Sequence, residues 1–208
     1  LVPNDEKAIA KLVQLAGSDR LRICPVGTGS NFAADYEPSD DFIFLLMNRM
    51  NQLIELKPLD AILTVSAGVL ISDLSEKMKG SGFELPPEFI VYPGTLAGAL
   101  LSPDPVGARH DGFRRRLLSV QLVDPQGQIL RVGADVIKNV AGYDYWTFLI
   151  GCGGRFGVVT RLSLNVEKMP SFQSIPLSVR DADTSDDPNQ WIYANLCKGL
   201  DPNGIFAR

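Results

Sequence analysis

Three short stretches carry glycines in patterns that could serve a phosphate-bearing ligand. Val26-Gly27-Thr28-Gly29-Ser30-Asn31 lies early, Thr95-Leu96-Ala97-Gly98 near the middle, and Gly151-Cys152-Gly153-Gly154-Arg155-Phe156-Gly157-Val158 towards the end. A phosphate is gripped by several backbone N–H groups converging on it, and side chains obstruct that approach. In the first stretch the Thr28, Ser30 and Asn31 side chains add donors. Alone, a Gly-x-Gly after a strand is more often an ordinary turn. The order and context of all three give the pattern its weight.

The segment after the last glycines narrows the choice of fold. Val158 to Val166 reads Val-Val-Thr-Arg-Leu-Ser-Leu-Asn-Val, and from Val159 apolar residues alternate with polar ones. That is the period of a half-buried strand. A Rossmann dinucleotide fold needs its glycine fingerprint to open a helix. Phe156 also stands where the third glycine of that fingerprint would fall.

The elements that must position these stretches are mixed. Asp5 to Ala16 has a helical apolar stripe with Asn4 or Asp5 as cap, and Gly17-Ser18 ends it. Leu21 to Cys24 reads as a strand stopped by Pro25, and Asp41 to Leu46 and Ala61 to Val65 as further strands. Ile71 to Lys79 is a helix with Ser72 as its expected cap. Pro86-Pro87 and Pro93-Gly94 bracket an extended piece, and Thr95 to Leu101 is a packed helical turn. Pro103 to Gly112 is a loop rich in Pro, Gly and Arg. Leu117 to Val123 and Gln128 to Val132 form a hairpin around Asp124-Pro125-Gln126-Gly127. Tyr145 to Ile150 is strand or helix, Arg180 to Asn189 a polar surface loop, and Trp191 to Leu196 the start of a last element. This order argues for an α+β protein rather than a regular βαβ array.

Composition sets bounds. The 208 residues are 45% hydrophobic with a formal net charge of -4. That supports one substantial core, or two small subdomains sharing one. The weak acidity gives no reason to expect nucleic acid. Cys24, Cys152 and Cys197 are too widely spaced for a zinc or redox pair, and read as reduced thiols in a cytosolic protein. His110 is the one histidine, which excludes a histidine-built metal site; no metal is expected. No apolar run can span a bilayer, Thr95 to Leu101 being far too short. No signal peptide is visible, and the chain begins at Leu1.

Taken together, the motifs resemble the flavoproteins related to vanillyl-alcohol oxidase and p-cresol methylhydroxylase (PCMH). That family carries a Gly/Ser-rich loop after an early strand, a Thr-x-Gly-Gly segment, and a Gly-Ser-x-Gly-x-x-Gly-Val segment, in this order. The run Val136-Ile137-Lys138-Asn139-Val140-Ala141-Gly142-Tyr143-Asp144 is similar to the branch holding the FAD-binding E-type subunit of bacterial glycolate oxidase. The resemblance covers roughly residues 5 to 168 and is specific from Leu117 to Val166. It implies a two-subdomain α+β PCMH-type FAD-binding fold over 1–168, with subdomains about 1–66 and 67–168. A C-terminal extension, 169–208, would come after it, too short for the family's full C-terminal cap domain.

Carried over by residue, the resemblance implies that Val26, Gly27, Thr28, Gly29, Ser30 and Asn31 hold the FAD pyrophosphate. Thr95, Ala97 and Gly98 would line the flavin or ribityl side. Lys138, Asn139, Gly142 and Tyr143 would shape the cleft. Gly151, Gly154, Gly157 and Val158 would offer backbone. No histidine follows the first loop, so FAD would be bound non-covalently. The chain departs from the family at Ala97 (for Gly), Arg116 (for Asp, in Arg114-Arg115-Arg116) and Cys152 (for Ser). The three arginines read as a solvated face.

The function implied is a FAD-binding subunit of a glycolate or D-lactate type oxidoreductase complex. Its partners would be other subunits and a small 2-hydroxy acid. It would lie in the cytoplasm or peripheral to a membrane through those partners. His110 is the one candidate general base, and no catalytic residue is assigned. The alternatives are a cofactor-free structural or docking subunit that keeps the fold, and a self-sufficient oxidase.

Overall fold

A computed structural model describes residues 1–30, 41–104, 107–136 and 145–168. Helix α1 (Glu6–Asp19) opens the chain. Asp5 caps it, its carboxylate accepting from the Ala8 N–H at 2.7 Å, and Ile9, Val13 and Ala16 form its buried stripe. Strands β1 (Arg22–Val26) and β2 (Phe42–Leu46) pair in parallel. β1 runs through Pro25 instead of stopping before it. With one neighbouring strand among the described residues, β1 can turn the missing N–H of Pro25 to its open side.

The centre is a five-stranded antiparallel sheet in the order β3-β4-β8-β6-β7. It comprises β3 (Leu53–Lys57), β4 (Ile62–Ser66), β6 (Leu117–Val123), β7 (Ile129–Gly133) and β8 (Val158–Asn165). The sheet therefore crosses residue 66, the expected boundary between subdomains. The hairpin forms as its turn chemistry implies. Asp124 Oδ1 accepts from the Gln126 and Gln128 amides at 2.9 and 2.7 Å, and Gly127 takes φ 75°. β8 comes directly after the last glycines, as its alternation predicts, but it is buried almost throughout. It lies between β4 and β6, and its inward polar residue Ser163 hydrogen-bonds Thr64 at 3.1 Å.

The helical connections depart more from expectation. Helix α2 (Ile71–Met78) is preceded by Leu70, whose backbone bridges Thr95, while Ser72 lies inside the helix and caps nothing. After β5 (Phe83–Glu84) the expected extended piece is helix α3 (Pro87–Ile90), with Pro87 at its first turn, where a missing N–H costs nothing. Helix α4 (Leu96–Leu101) starts at Thr95. The expected loop from Pro103 to Gly112 ends at Gly107, and Ala108–Arg116 is helix α5. Asp104 organises its start, its Oδ2 accepting from the Arg109 and His110 amides at 2.8 and 3.1 Å. Tyr145–Leu149 is a 3-10 turn, and β9 (Glu167–Lys168) pairs with β5. No helix among the described residues is long and apolar enough to cross a membrane.

Candidate cofactor site

Helix α4 brings the glycine stretches together. It has six residues, a length of about 9 Å at 1.5 Å per residue. At its start Thr95, 5% exposed, accepts the Gly98 N–H on Oγ1 at 3.0 Å. The loop after β1 presses on this cap. A Cβ built on Gly27 would lie 2.7 Å from Thr95 Oγ1 and 2.9 Å from its methyl. Ser30 Oγ would lie 3.3 Å from a Cβ on Gly94, so the loop also reaches the residue before the cap. Gly29 holds φ 77°, and the exposed Thr28 hydroxyl donates to Ser30 Oγ at 3.1 Å. At the other end of α4, the Gly151 N–H donates to Leu100 O at 2.8 Å and the Gly153 N–H to Leu101 O at 2.7 Å.

The predicted site residues divide by what surrounds them. Gly154 is buried, has φ 80°, and a Cβ on it would meet nothing within 4 Å. It is bare backbone with open space where a side chain would stand, which is what a cofactor cradle needs. Gly157, at φ 148°, is filled instead: a Cβ there would lie 2.4 Å from Val123 O. Its lack of a side chain lets the turn lie on β6, and Val158, fully buried, begins β8 in register with Val123. Ala97 is 6% exposed and packs in the core. Gly98 has its N–H taken by Thr95, so its value lies in close approach. Val26 closes β1 and is buried. Asn31, Lys138, Asn139, Gly142 and Tyr143 lie outside the described residues. The chain heads towards the last four at Asp135, held by Ser119 Oγ at 2.6 Å and Arg131 at 2.7 Å. Burial raises the Asp135 pKa, but hydrogen bonds from Ser119, Arg131 and Ser163 outweigh it and hold the carboxyl below its ordinary range.

His110 is on α5, not in a loop. Its Nε2 lies 2.8 Å from Ser102 O, an acceptor, so that nitrogen carries the proton. Its Cε1 stands 2.7 Å from where a Cβ on Gly151 would be. Burial pushes its pKa below the usual histidine value, with Arg109 and Arg114 adding to the effect and Asp104 and the Ser102 bond opposing it. The neutral ring, wedged between Ser102 and Gly151, acts as a spacer between α5 and the Gly151 turn. The arginine run is a solvated face at Arg114 and Arg115, which are exposed, but not at Arg116. Arg116 is only 16% exposed and bonds Glu167 at 2.5 Å, with Glu88 at 3.8 Å. Arg114 pairs with Asp111, and Arg115 lies 3.6 Å from Glu88.

Sequence reasoning missed Gly94 and Tyr92. The Tyr92 ring packs against both Gly94 and Gly98, at 2.5 Å from the first position's notional Cβ and 3.2 Å (hydroxyl) from the second's. The pair Pro93-Gly94 directly before Thr95 was the available signal.

This cradle has counterparts. The profile of the FAD binding domain family matches residues 1–133. The chain belongs to that family. The PCMH-type α+β fold and FAD as the cofactor class therefore stand, and the open space beside Gly154 is compatible with such a group. A glycolate oxidase subunit GlcD from Bacillus subtilis (strain 168) is 25% identical over 182 residues, 86% of this chain and 39% of the relative. A probable mitochondrial D-2-hydroxyglutarate dehydrogenase from Oryza sativa subsp. indica is 25% identical over 185 residues, 87% of this chain and 33% of the relative. A solved alkyldihydroxyacetonephosphate synthase superposes with a TM-score of 0.66 at 23% identity, over 83% of this chain and 32% of its own. That last likeness shows the fold alone. This FAD-binding domain chain spans between a third and two-fifths of the length of the relatives it matches.

Proposed function

We propose that this chain is the FAD-binding part of an oxidoreductase acting on a small 2-hydroxy acid of the glycolate or D-lactate type. It works with partner subunits, in the cytoplasm or peripheral to a membrane through them. The observation that carries the reading is the convergence on α4: the loop after β1 at one end, the Gly151–Gly154 turn at the other. An elongated ligand with a phosphate-bearing half and a ring-bearing half suits such a cradle. Gly27, Thr28, Gly29 and Ser30 would hold the pyrophosphate, with Asn31 beside them. Thr95 and Gly98 would flank the middle, and Gly154 would offer bare backbone to the rest, with Gly151 fixing the turn against α4 and His110, and Lys138, Asn139, Gly142 and Tyr143 closing the cleft. Gly157 and Val158 would act from behind, by seating the turn on β6.

The chemistry that FAD would supply here is acceptance of a hydride from the hydroxyl-bearing carbon of the substrate. The chain's own residues bind and orient. Thr95 holds the start of α4 with Oγ1 and keeps the loop at Gly27 in place. Neutral His110 keeps Ser102 and the Gly151 turn apart. Two names carry the substrate class: both relatives are named for a 2-hydroxy acid, glycolate in one and D-2-hydroxyglutarate in the other. The word "subunit" in the GlcD name supports partner chains. The wide spacing of Cys24, Cys152 and Cys197 suits a reducing compartment.

The cofactor-free alternative gains nothing from the departures that suggested it. Ala97 and Cys152 are in the core, and Arg116 spends its charge on Glu88 and Glu167. Reconstitution with FAD and then gel filtration tests the reading. Flavin absorbance should co-elute with the chain, and acid precipitation should release it, as non-covalent binding requires. Elution without flavin would remove the proposal.

A further inference from the structure

Two neighbouring residues of α5 touch both ends of the cradle. Arg109 Nε donates to Ala99 O at 2.9 Å, and Nη2 donates to Pro103 O at 2.7 Å and Ser102 O at 3.4 Å. Its guanidinium also lies over the Tyr92 ring, 4.7 Å from the centroid. Tyr92 is 9% exposed, bonds Ser102 through its hydroxyl at 2.9 Å, and fills the space beside Gly94 and Gly98. Gly94 is the residue that Ser30 reaches. The next residue, His110, stands against Gly151.

We infer that Arg109, acting through Tyr92, is a positioning residue that fixes the distance between the two ends of the cofactor cradle. The physical reason is the shortness of α4. Its six residues cannot hold themselves helical, and the last carbonyls of any helix lack intrahelical partners. The Gly151 and Gly153 amides take Leu100 O and Leu101 O, and Arg109 supplies the partner of Ala99 O and of the Ser102 and Pro103 carbonyls just past the helix with one planar, permanently charged fork; a cation at a helix C-terminus is also favourable. The same guanidinium sets the ring that packs against Gly94 and Gly98, at the start of α4. The register of the loop at Ser30 relative to the turn at Gly151 thus depends on a side chain that need not touch the cofactor. A lysine cannot replace it, having no fork to span three carbonyls.

The inference rests on the FAD reading, and two measurements separate them. The first is titration of FAD into the full chain and its variants, read by flavin fluorescence beside each variant's melting temperature. Arg109→Gln and Tyr92→Leu should each weaken FAD binding by about tenfold or more, and Arg109→Lys nearly as much. Tyr92→Phe keeps the ring and should stay within about threefold. The second is amide hydrogen exchange of the chain without FAD. Arg109→Lys, the variant with least risk to folding, should speed exchange at Gly98, Ser102, Gly151 and Gly153 together, and leave β6 and β8 unchanged. If wild type fails to bind FAD while that exchange pattern appears, the cofactor reading falls and the brace stands. FAD affinity within twofold of wild type in Arg109→Gln would overturn the inference. So would exchange that changes on α5 alone, or equally across the sheet.

Discussion

The two glycine stretches at either end of α4 look alike in sequence and are used differently. In the loop after β1, Gly27 lies on a side chain, Thr95, and the flanking Thr28 and Ser30 hydroxyls are exposed. In the turn before β8, the glycines differ in what stands beside them. Gly151 meets a histidine ring, Gly153 and Gly154 meet nothing, and Gly157 meets the backbone of β6. The first region can adjust more readily, because what Gly27 meets is a side chain and not backbone. The second cannot at Gly157, because a sheet backbone has nowhere to go. A glycine motif therefore mixes positions that shape the fold with positions that leave room for a ligand.

Substitutions can break this contrast. The largest effect should come from Gly157→Ala, which puts a Cβ against Val123 O in a conformation few other residues adopt. We expect a loss of roughly 2–6 kcal/mol, combining backbone strain with overpacking, measured by denaturant unfolding. Near-normal stability would show that the turn does not sit on β6 as described. Gly27→Ala should cost less, about 1–3 kcal/mol, and weaken FAD binding. Adding Thr95→Ser removes the methyl at 2.9 Å and should recover part of both, a coupling that a double-mutant cycle would read. Gly154→Ala sharpens the comparison from the other side. It meets no atom, so only its left-handed backbone matters, at about 1–2 kcal/mol. Its FAD affinity should fall further than its stability does; equal losses would argue that the open space is not a ligand's.

Two smaller effects come from charge. Because burial depresses the His110 pKa, the folded chain resists protonating this ring and the unfolded chain does not. Its contribution to stability is thus fully present above about pH 6.5 and is lost as pH falls through the depressed folded value. A pH series of unfolding curves should slope downward there, and His110→Gln should flatten that slope. Arg114→Ala, at an exposed pair with Asp111, should change stability by less than about 0.5 kcal/mol.

Much of the fold was legible. Helix α1 with its Asp5 cap, the β6–β7 hairpin, and a strand after the last glycines all came from local chemistry. β3 was missed because Leu-Ile-Glu-Leu-Lys has no clean alternation, and only pairing with β4 makes it a strand. α3 was misread because prolines suggest extension, yet Pro87 sits where a helix begins. In the Arg114–Arg116 run the solvated-charge reading holds for Arg114 and Arg115 and fails for Arg116, because α3 and β9 bring Glu88 and Glu167 to it.

The chain alone determined which backbone positions could be bare, where the caps and tight turn fall, and that the last glycines feed a strand. Those are properties of a few consecutive residues, set by sterics and local hydrogen bonds. Only the tertiary structure decided which bare positions are filled and which stay open, and that a six-residue helix joins stretches some seventy and fifty residues away in the chain. Occupancy of space depends on what the rest of the chain packs there, and residues distant in sequence supply it.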